Sequence, residues 1–321
     1  MANRIWILLA GVALLACAED AAAQSYPSKP LKIIVPFGAG SGADSNSRFY
    51  GDLVSRAWGQ PVVVENRPGG SGVIAAMTVR AAPADGYTLF CGTNSPITVN
   101  PVVMKDLPYD PIRDFRGVFL FGITPVAFVV NAGSPHRTIA DLVQAAKKSG
   151  DPLPIGTYSA GYELVGAWLG TAAGIPMTNV PYKGMAATVT DIVGNQVGFG
   201  AIDFSSVVPL VKDGRLRVLA QTGEARLPQL PEVPTMKESG YPDFVSHVWS
   251  SIMVRAETPD AIVDKLYAAF RAAWESPEGR NYQAGRPSVE MTPSPKEMQV
   301  FVVSEYERFK TVAKAAGIQP R

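Results

Sequence analysis

Histidine and cysteine are nearly missing from this chain, with two of each in 321 residues. His136 and His247 have no cysteine, carboxylate or histidine partners at ligand spacing, so no metal site is expected. Cys17 falls in the leader described below, which leaves Cys91 alone and excludes an intramolecular disulfide. The setting of Cys91, "YTLFCG", suggests a buried strand position and not a nucleophile. Strong net charge is also missing. With 29 basic and 28 acidic residues the formal charge is +1, too little field to attract nucleic acid or a membrane surface, so recognition must rest on local geometry. No long apolar run follows the N-terminal one, so nothing after it is expected to span a bilayer.

What is present begins with "MANRIWILLAGVALLACAEDAAAQ". Arg4 precedes an apolar run from Ile5 to Ala16, and Ala21-x-Ala23 offers a cleavage site before Gln24. Residues 1–23 therefore read as a signal peptide and the mature protein as periplasmic. A second processing route exists, because "LLAC" resembles a lipoprotein box that would place a lipid anchor on Cys17.

The first chemical motif is "IIVPFGAGSGADSNSR", residues 33–48. Gly38-x-Gly40-x-x-Ala43 satisfies the dinucleotide fingerprint, and Glu65 ends the next apolar run, "PVVVE", about twenty residues on. A dehydrogenase is the first candidate. Export argues against it, since nicotinamide cofactors are not normally available outside the cytoplasm, and no cofactor is expected. The P-loop lysine is absent as well, the residue after Gly42 being Ala43.

At 47% hydrophobic and 18% charged, the chain can build two modest α/β domains with cores of their own. "LKIIVPF" (31–37), "PVVVEN" (61–66) and "YTLFCG" (87–92) read as strands, separated by helices over Asp44–Trp58 and Ser71–Ala82. This is the βαβαβ unit of a parallel sheet. A proline-rich connection (100–115) follows, and the pattern restarts with strands at 124–131, 153–161, 178–182, 197–203 and 216–222 and helices at 138–150, 162–174 and 186–196. The C-terminal third reads as helical, over 259–276 and 295–317. The simplest architecture inserts the second unit into the first: lobe 1 from 24–121 and 223–321, lobe 2 from 122–222, joined near Gly122 and Thr222.

Ligands of open parallel sheets gather where strands end and helices begin. Three Gly- or Ser-containing loops lie at such points: "GAGSGAD", "GTNSP" (92–96) and "TYSAG" (157–161). Their backbone N–H groups and helix dipoles suit carboxylates, and phosphate equally.

The blocks "YPSKPLKIIVPFGAGSGADSNSR", "GQPVVVENRPGGSGVIA", "ADGYTLF", "LPYDPIRDF", "VPYKGMAATVTDIVGNQV" and "LPQLPEVPTMKESGYPDF" resemble, in order and spacing, the periplasmic solute-binding component of tripartite tricarboxylate transporters. The resemblance runs from Tyr26 nearly to the C-terminus. It implies an α/β, two-lobed type II periplasmic-binding (Venus-flytrap) fold, with a mixed, mostly parallel sheet in each lobe. It also implies a monomeric receptor that captures a small carboxylate and presents it to a membrane permease. The family's ligand loops fall on Phe37 to Asp44 and on Ser159 to Gly161, where carboxylate oxygens are held largely by main-chain N–H groups and ordered water. The sites expected to face the ligand are Phe37, Ala39, Gly40, Ser41 and Asp44, then Thr93 and Asn94, then Ser159, Gly161, Tyr162 and Asp203. This chain departs from the family in two places. Gly40-Ser41 replaces the usual Gly-Gly, and Glu163, Leu164 and Ala167 stand where the second-lobe motif continues Gly-Ser and reaches a histidine.

Each of these residues has a plainer reading. Asp44 at a helix start suits capping better than contact with an anionic ligand, which it would repel. Ser159 either donates to a ligand oxygen or begins the next helix. Glu163 suits a solvated or capping acid, and Lys183 a solvated turn cation. Asp203 suits a structural hydrogen bond as well as a cleft contact, and Arg67 suits an ion pair with Glu65 or Asp85. An exported serine hydrolase acting on a small ester or amide is the alternative of another class. Ser41 lies in "GSG", but G-x-S-x-G needs glycines where Ala39 and Ala43 stand, and neither histidine has a neighbour to orient it.

Overall fold

The computed structural model describes residues 26–286 and 291–320; the expected signal peptide and Cys17 lie outside them. Short β-branched runs alternate with amphipathic segments from Leu31 onward. β1 (Leu31–Val35) leads through the glycine loop to α1 (Gly42–Trp58), β2 (Val62–Asn66), α2 (Val73–Arg80) and β3 (Thr88–Thr93). Helix α1 starts two residues before the sequence predicts, because Ser41 is its N-cap and accepts the Asp44 N–H. After β3 come a π-helical turn, Ser95–Val99, and, in the proline-rich connection, two one-turn helices, α3 (Asn100–Val103) and α4 (Pro111–Asp114).

β4 (Phe115–Asn131) then crosses the molecule, followed by α5 (Ile139–Ser149), β5 (Leu153–Thr157), α6 (Ala160–Ala173) and β6 (Met177–Pro181). α7 (Met185–Val193), β7 (Gly200–Asp203), α8 (Phe204–Lys212) and β8 (Leu216–Gln221) complete the second unit. The C-terminal part holds β9 (His247–Arg255), α9 (Asp260–Glu275), α10 (Pro277–Ala284) and α11 (Pro295–Ala315). Periodicity predicts only helices beyond residue 222, and β9 is the correction. It lies between β3 and β4, with Val248–Val254 buried throughout, so its sequence shows no polar alternation.

The strand order is β2-β1-β3-β9-β4-β7-β5-β6, with β8 also paired to β4. The outer strands pair in parallel, β1 with β2 and β3, and β5 with β6 and β7. Antiparallel pairing is confined to β4 and β9, because β4 and β9 carry the chain from one half of the sheet to the other. At Gly122 the register between β4 and β9 slips, and the residue takes φ 105°, a left-handed conformation that glycine reaches without strain.

The first lobe's core is built on stacked aromatics. Tyr50 lies on Phe121 with centroids 5.1 Å apart, and Phe119 and Phe121 pack on Phe270. In the second lobe Phe128 stacks on Phe199, and Trp168 stacks on Phe244 at 4.1 Å. Phe244 belongs to the long stretch between β8 and β9, which also bridges Gln221 to Thr235. That stretch closes on itself where the Ser246 N–H donates to the Thr222 carbonyl at 2.9 Å and Thr222 Oγ1 donates to the Ser246 carbonyl. Helix α11 straddles both units, its Phe309 and Val312 clustering with Val99 of the first and Leu164 of the second.

Candidate functional site

The glycine loop after β1 is fixed from within. Asp44 Oδ2 accepts the Gly40 N–H at 3.0 Å, while Oδ1 accepts Arg48 Nε at 3.0 Å and Asn66 Nδ2 at 2.8 Å. Asn66 Nδ2 also donates to the Phe37 carbonyl at 2.9 Å, so one carboxylate and one amide brace both ends of the loop. Burial pushes the Asp44 carboxyl up, but the bonds from Arg48, Gly40 and Asn66 outweigh it and hold the group below the usual carboxylate range. Gly40 has φ 83°, and its N–H is already used by Asp44.

In the second lobe the start of α6 meets first-lobe hydroxyls. The Ala160 N–H donates to Ser71 Oγ at 3.1 Å and the Gly161 N–H to Ser95 Oγ at 3.2 Å. Ser95 Oγ donates in turn to Ser159 Oγ at 3.0 Å. Two of the donors expected to face a ligand are thus bonded across the lobes. A Cβ at Gly161 would fall 2.5 Å from Asn94 Nδ2, so only glycine allows this approach.

Inside this seam lies a narrow cleft with about 60 Å³ of free volume. The first lobe contributes Phe37, Ser41, Asn46, Tyr50, Thr93 and Asn94, and the second Tyr158, Tyr162, Asp203 and Ser205. Phe121, Gly122, Thr124 and Val248–Ser250 of the crossing strands form its floor, and Trp274, Tyr282, Gln283 and Arg286 close the remaining side. Phe37 and Tyr158 meet edge to face across the lobes, 5.8 Å between centroids, and separate the cleft from an outer groove. That groove is lined by Ser71, Ser159, Glu163, Tyr182 and Lys183.

The expected ligand residues therefore divide. Phe37, Ser41, Thr93, Asn94, Tyr162 and Asp203 come together on the cleft; Ser159 faces the outer groove; Ala39, Gly40, Asp44 and Gly161 line neither cavity. Asp203 is the N-cap of α8: Oδ1 accepts the Ser206 N–H at 3.0 Å and Ser205 Oγ at 2.7 Å, and Oδ2 accepts the Tyr158 hydroxyl at 3.1 Å. Tyr158 and Tyr162, whose hydroxyls are 2.9 Å apart, are driven well above the ordinary phenol range by burial, reinforced by Asp203, and remain neutral. Leu164 and Ala167, where the family motif departs, pack toward α11 and away from the cleft. Arg67 pairs with Glu65.

Sequence reasoning missed Asn46, Trp249, Ser250, Trp274, Tyr282 and Arg286. Asn46 lies one helical turn beyond Gly42 in α1, a spacing that could have marked it; the others depend on how β9, α9 and α10 fold back on the first lobe. Tyr282 stacks on Phe49 at 3.8 Å, and its hydroxyl donates to Asn46 Oδ1 at 3.3 Å. Arg286 lies over the Tyr282 ring at 4.3 Å.

The hydrolase alternative finds no support in this geometry. Ser41 Oγ is occupied as a helix cap, and the charges acting on His247 are those of Arg308, Glu305 and Glu224. Cys91 is fully buried, its thiol pushed up to about 12 by that burial. Among the described residues no three His, Cys, Asp or Glu side chains gather at metal-binding distance.

The profile of the tripartite tricarboxylate transporter family receptors matches residues 47–318. A UPF0065 protein of Bordetella bronchiseptica is 36% identical over 262 residues, 81% of this chain and 77% of its own length. Among solved structures, an R. palustris protein with adipate superposes with a TM-score of 0.87 at 32% identity, covering 92% of this chain and all of that one. MatC from Rhodopseudomonas palustris with bound malate gives 0.84 at 25% identity, over 89% of this chain and 99% of its own. With its two-lobed fold and interlobe cleft, the chain belongs to the tripartite tricarboxylate transporter family of receptors.

Proposed function

We propose that this protein is an exported, non-enzymatic receptor that binds a small organic carboxylate in the interlobe cleft and delivers it to a tripartite tricarboxylate-type permease. The observation that carries the reading is the cleft itself: its walls come from strand-to-helix turns of both lobes and its floor from the strands that join them. A ligand touching both walls interacts more with the closed arrangement than the open one, and only that difference can drive closure. Adipate and malate in the two related structures support a carboxylate as the class.

The mature chain would be a monomeric periplasmic protein, with a lipid on Cys17 as the alternative to cleavage after Ala23. No cofactor enters the reading. The lobes would be residues 24–121 with 247–321, and residues 122–246. We read the second crossing at Ser246, later than the Thr222 expected from the sequence, a reading that the packing of Phe244 on Phe128 and Trp168 of the second unit supports.

The test is a thermal-shift screen of the mature protein against an organic-acid library, followed by small-angle scattering with the best acid. An acid at about 100 times its Kd should stabilise the fold by about 2.7 kcal/mol. It should also reduce the radius of gyration. No stabilisation by any acid, or turnover of esters or amides, would overturn the reading.

A further inference from the structure

The cleft's charges and surfaces differ from what a di- or tricarboxylate needs. Among the described residues only Asp203 and Arg286 on its lining are charged, so a tricarboxylate would place several negative charges in a cleft with one cation and one acid. The Asp203 carboxylate holds the second-lobe side, its oxygens already bonded to Ser205, Ser206 and Tyr158. An anionic group is repelled there and an uncharged one is tolerated. Arg286 comes from the first lobe, half-buried, with its guanidinium over the Tyr282 ring and no carboxylate partner among the described residues. Its planar fork of donors matches one carboxylate.

Besides these two charges the lining is largely aromatic: Tyr50, Phe121, Tyr162, Trp274 and Tyr282. Such walls suit a planar ring, which gains offset-stacked and edge-to-face contacts that a flexible aliphatic chain does not. Thr93 Oγ1 and Trp274 Nε1, each on a residue only 3% exposed, have no hydrogen-bond partner among the described residues, and both residues belong to the same lining. Buried unpartnered donors are costly and point to neutral acceptors on a bound molecule.

We infer that the ligand is an aromatic monocarboxylate, its ring held between the aromatic walls and its carboxylate on Arg286. The inference rests on the receptor reading and narrows its ligand class. It also makes Arg286, outside the glycine loops, the residue that sets specificity for an anion.

Calorimetry with benzoate, 4-hydroxybenzoate, benzamide, adipate and citrate tests it, with the Arg286→Gln protein alongside. Tryptophan fluorescence gives a second readout, since Trp274 lines the cleft. Benzoate or 4-hydroxybenzoate should bind more tightly than adipate or citrate, and at least about tenfold more tightly than benzamide. Arg286→Gln should remove most of the preference for benzoate over benzamide while leaving benzamide unchanged. Binding of adipate or citrate in preference to the aromatic acids would overturn the inference and leave the receptor reading standing, as would an unchanged preference in Arg286→Gln. Absence of binding by every acid would overturn both.

Discussion

Ser95 Oγ and Ser159 Oγ meet at 3.0 Å across the two lobes, and the same Ser95 oxygen accepts the Gly161 N–H at 3.2 Å. The first turn of α6 is therefore held by first-lobe side chains in the closed arrangement. The helix N-terminus that favours an anion is here satisfied by hydroxyl oxygens, so these backbone donors serve closure and not the ligand. The outer seam latches the lobes, and the inner cleft is left to discriminate among ligands.

Gly161→Ala should separate closure from folding. Its Cβ would stand 2.5 Å from Asn94 Nδ2 and 3.0 Å from Ser95 Oγ, which pushes the lobes apart. Within α6 itself alanine is the better helix former by about 1 kcal/mol. The variant should keep its thermal stability, show a larger radius of gyration when saturated with acid, and release the acid faster. Unchanged scattering and affinity would mean that Asn94 swings aside and that the seam does not govern closure.

Asp44→Asn should loosen the glycine loop without touching the cleft. It removes the charge that holds Arg48 and sets an amide N–H₂ against the Asn66 donor, at a cost of about 1–3 kcal/mol at pH 7. Asp44 is held below the usual carboxylate range, so its contribution is present above about pH 4, the unfolded value, and is lost as pH falls through the lower folded value. The gap in Tm between wild type and variant should accordingly close under acid conditions. A gap that persists at pH 2 would assign the effect to side-chain geometry and not to charge.

Local chemistry made much of this legible. Asp44 after a glycine loop, Thr138 at a helix start and the short Val-Ile runs each act within a few residues, and the loop brace, the start of α5 and the outer strands follow from them. The strand His247–Arg255 did not show, because a strand buried on both faces loses its alternation and its partners β3 and β4 are distant in sequence. Arg286 was invisible for a related reason. Nothing in "YQAGRP" marks it; it becomes part of the cleft only because Tyr282 stacks on Phe49 and brings α10 over α1.

His247 gives the fold a pH dependence close to neutrality. It opens β9, half-buried, facing Arg308 and Glu305 of α11 and Glu224 of the long second-lobe stretch. Burial, reinforced by Arg308 and only partly offset by the two glutamates, lowers its affinity for a proton in the folded state. The unfolded chain binds that proton with a pKa of about 6.5. Between the two values the unfolded state carries more protons, so stability falls as pH drops below about 6.5 and levels off once the folded imidazole also protonates. His247→Gln, which keeps a polar side chain of similar reach, should flatten the Tm profile from pH 7 to pH 5. Because His247 lies next to the proposed crossing at Ser246, ligand affinity measured over the same range should lose the same slope if the imidazole also biases closure. A Tm profile in the variant as steep as in the wild type would place the sensitivity elsewhere and leave His247 a neutral packing residue.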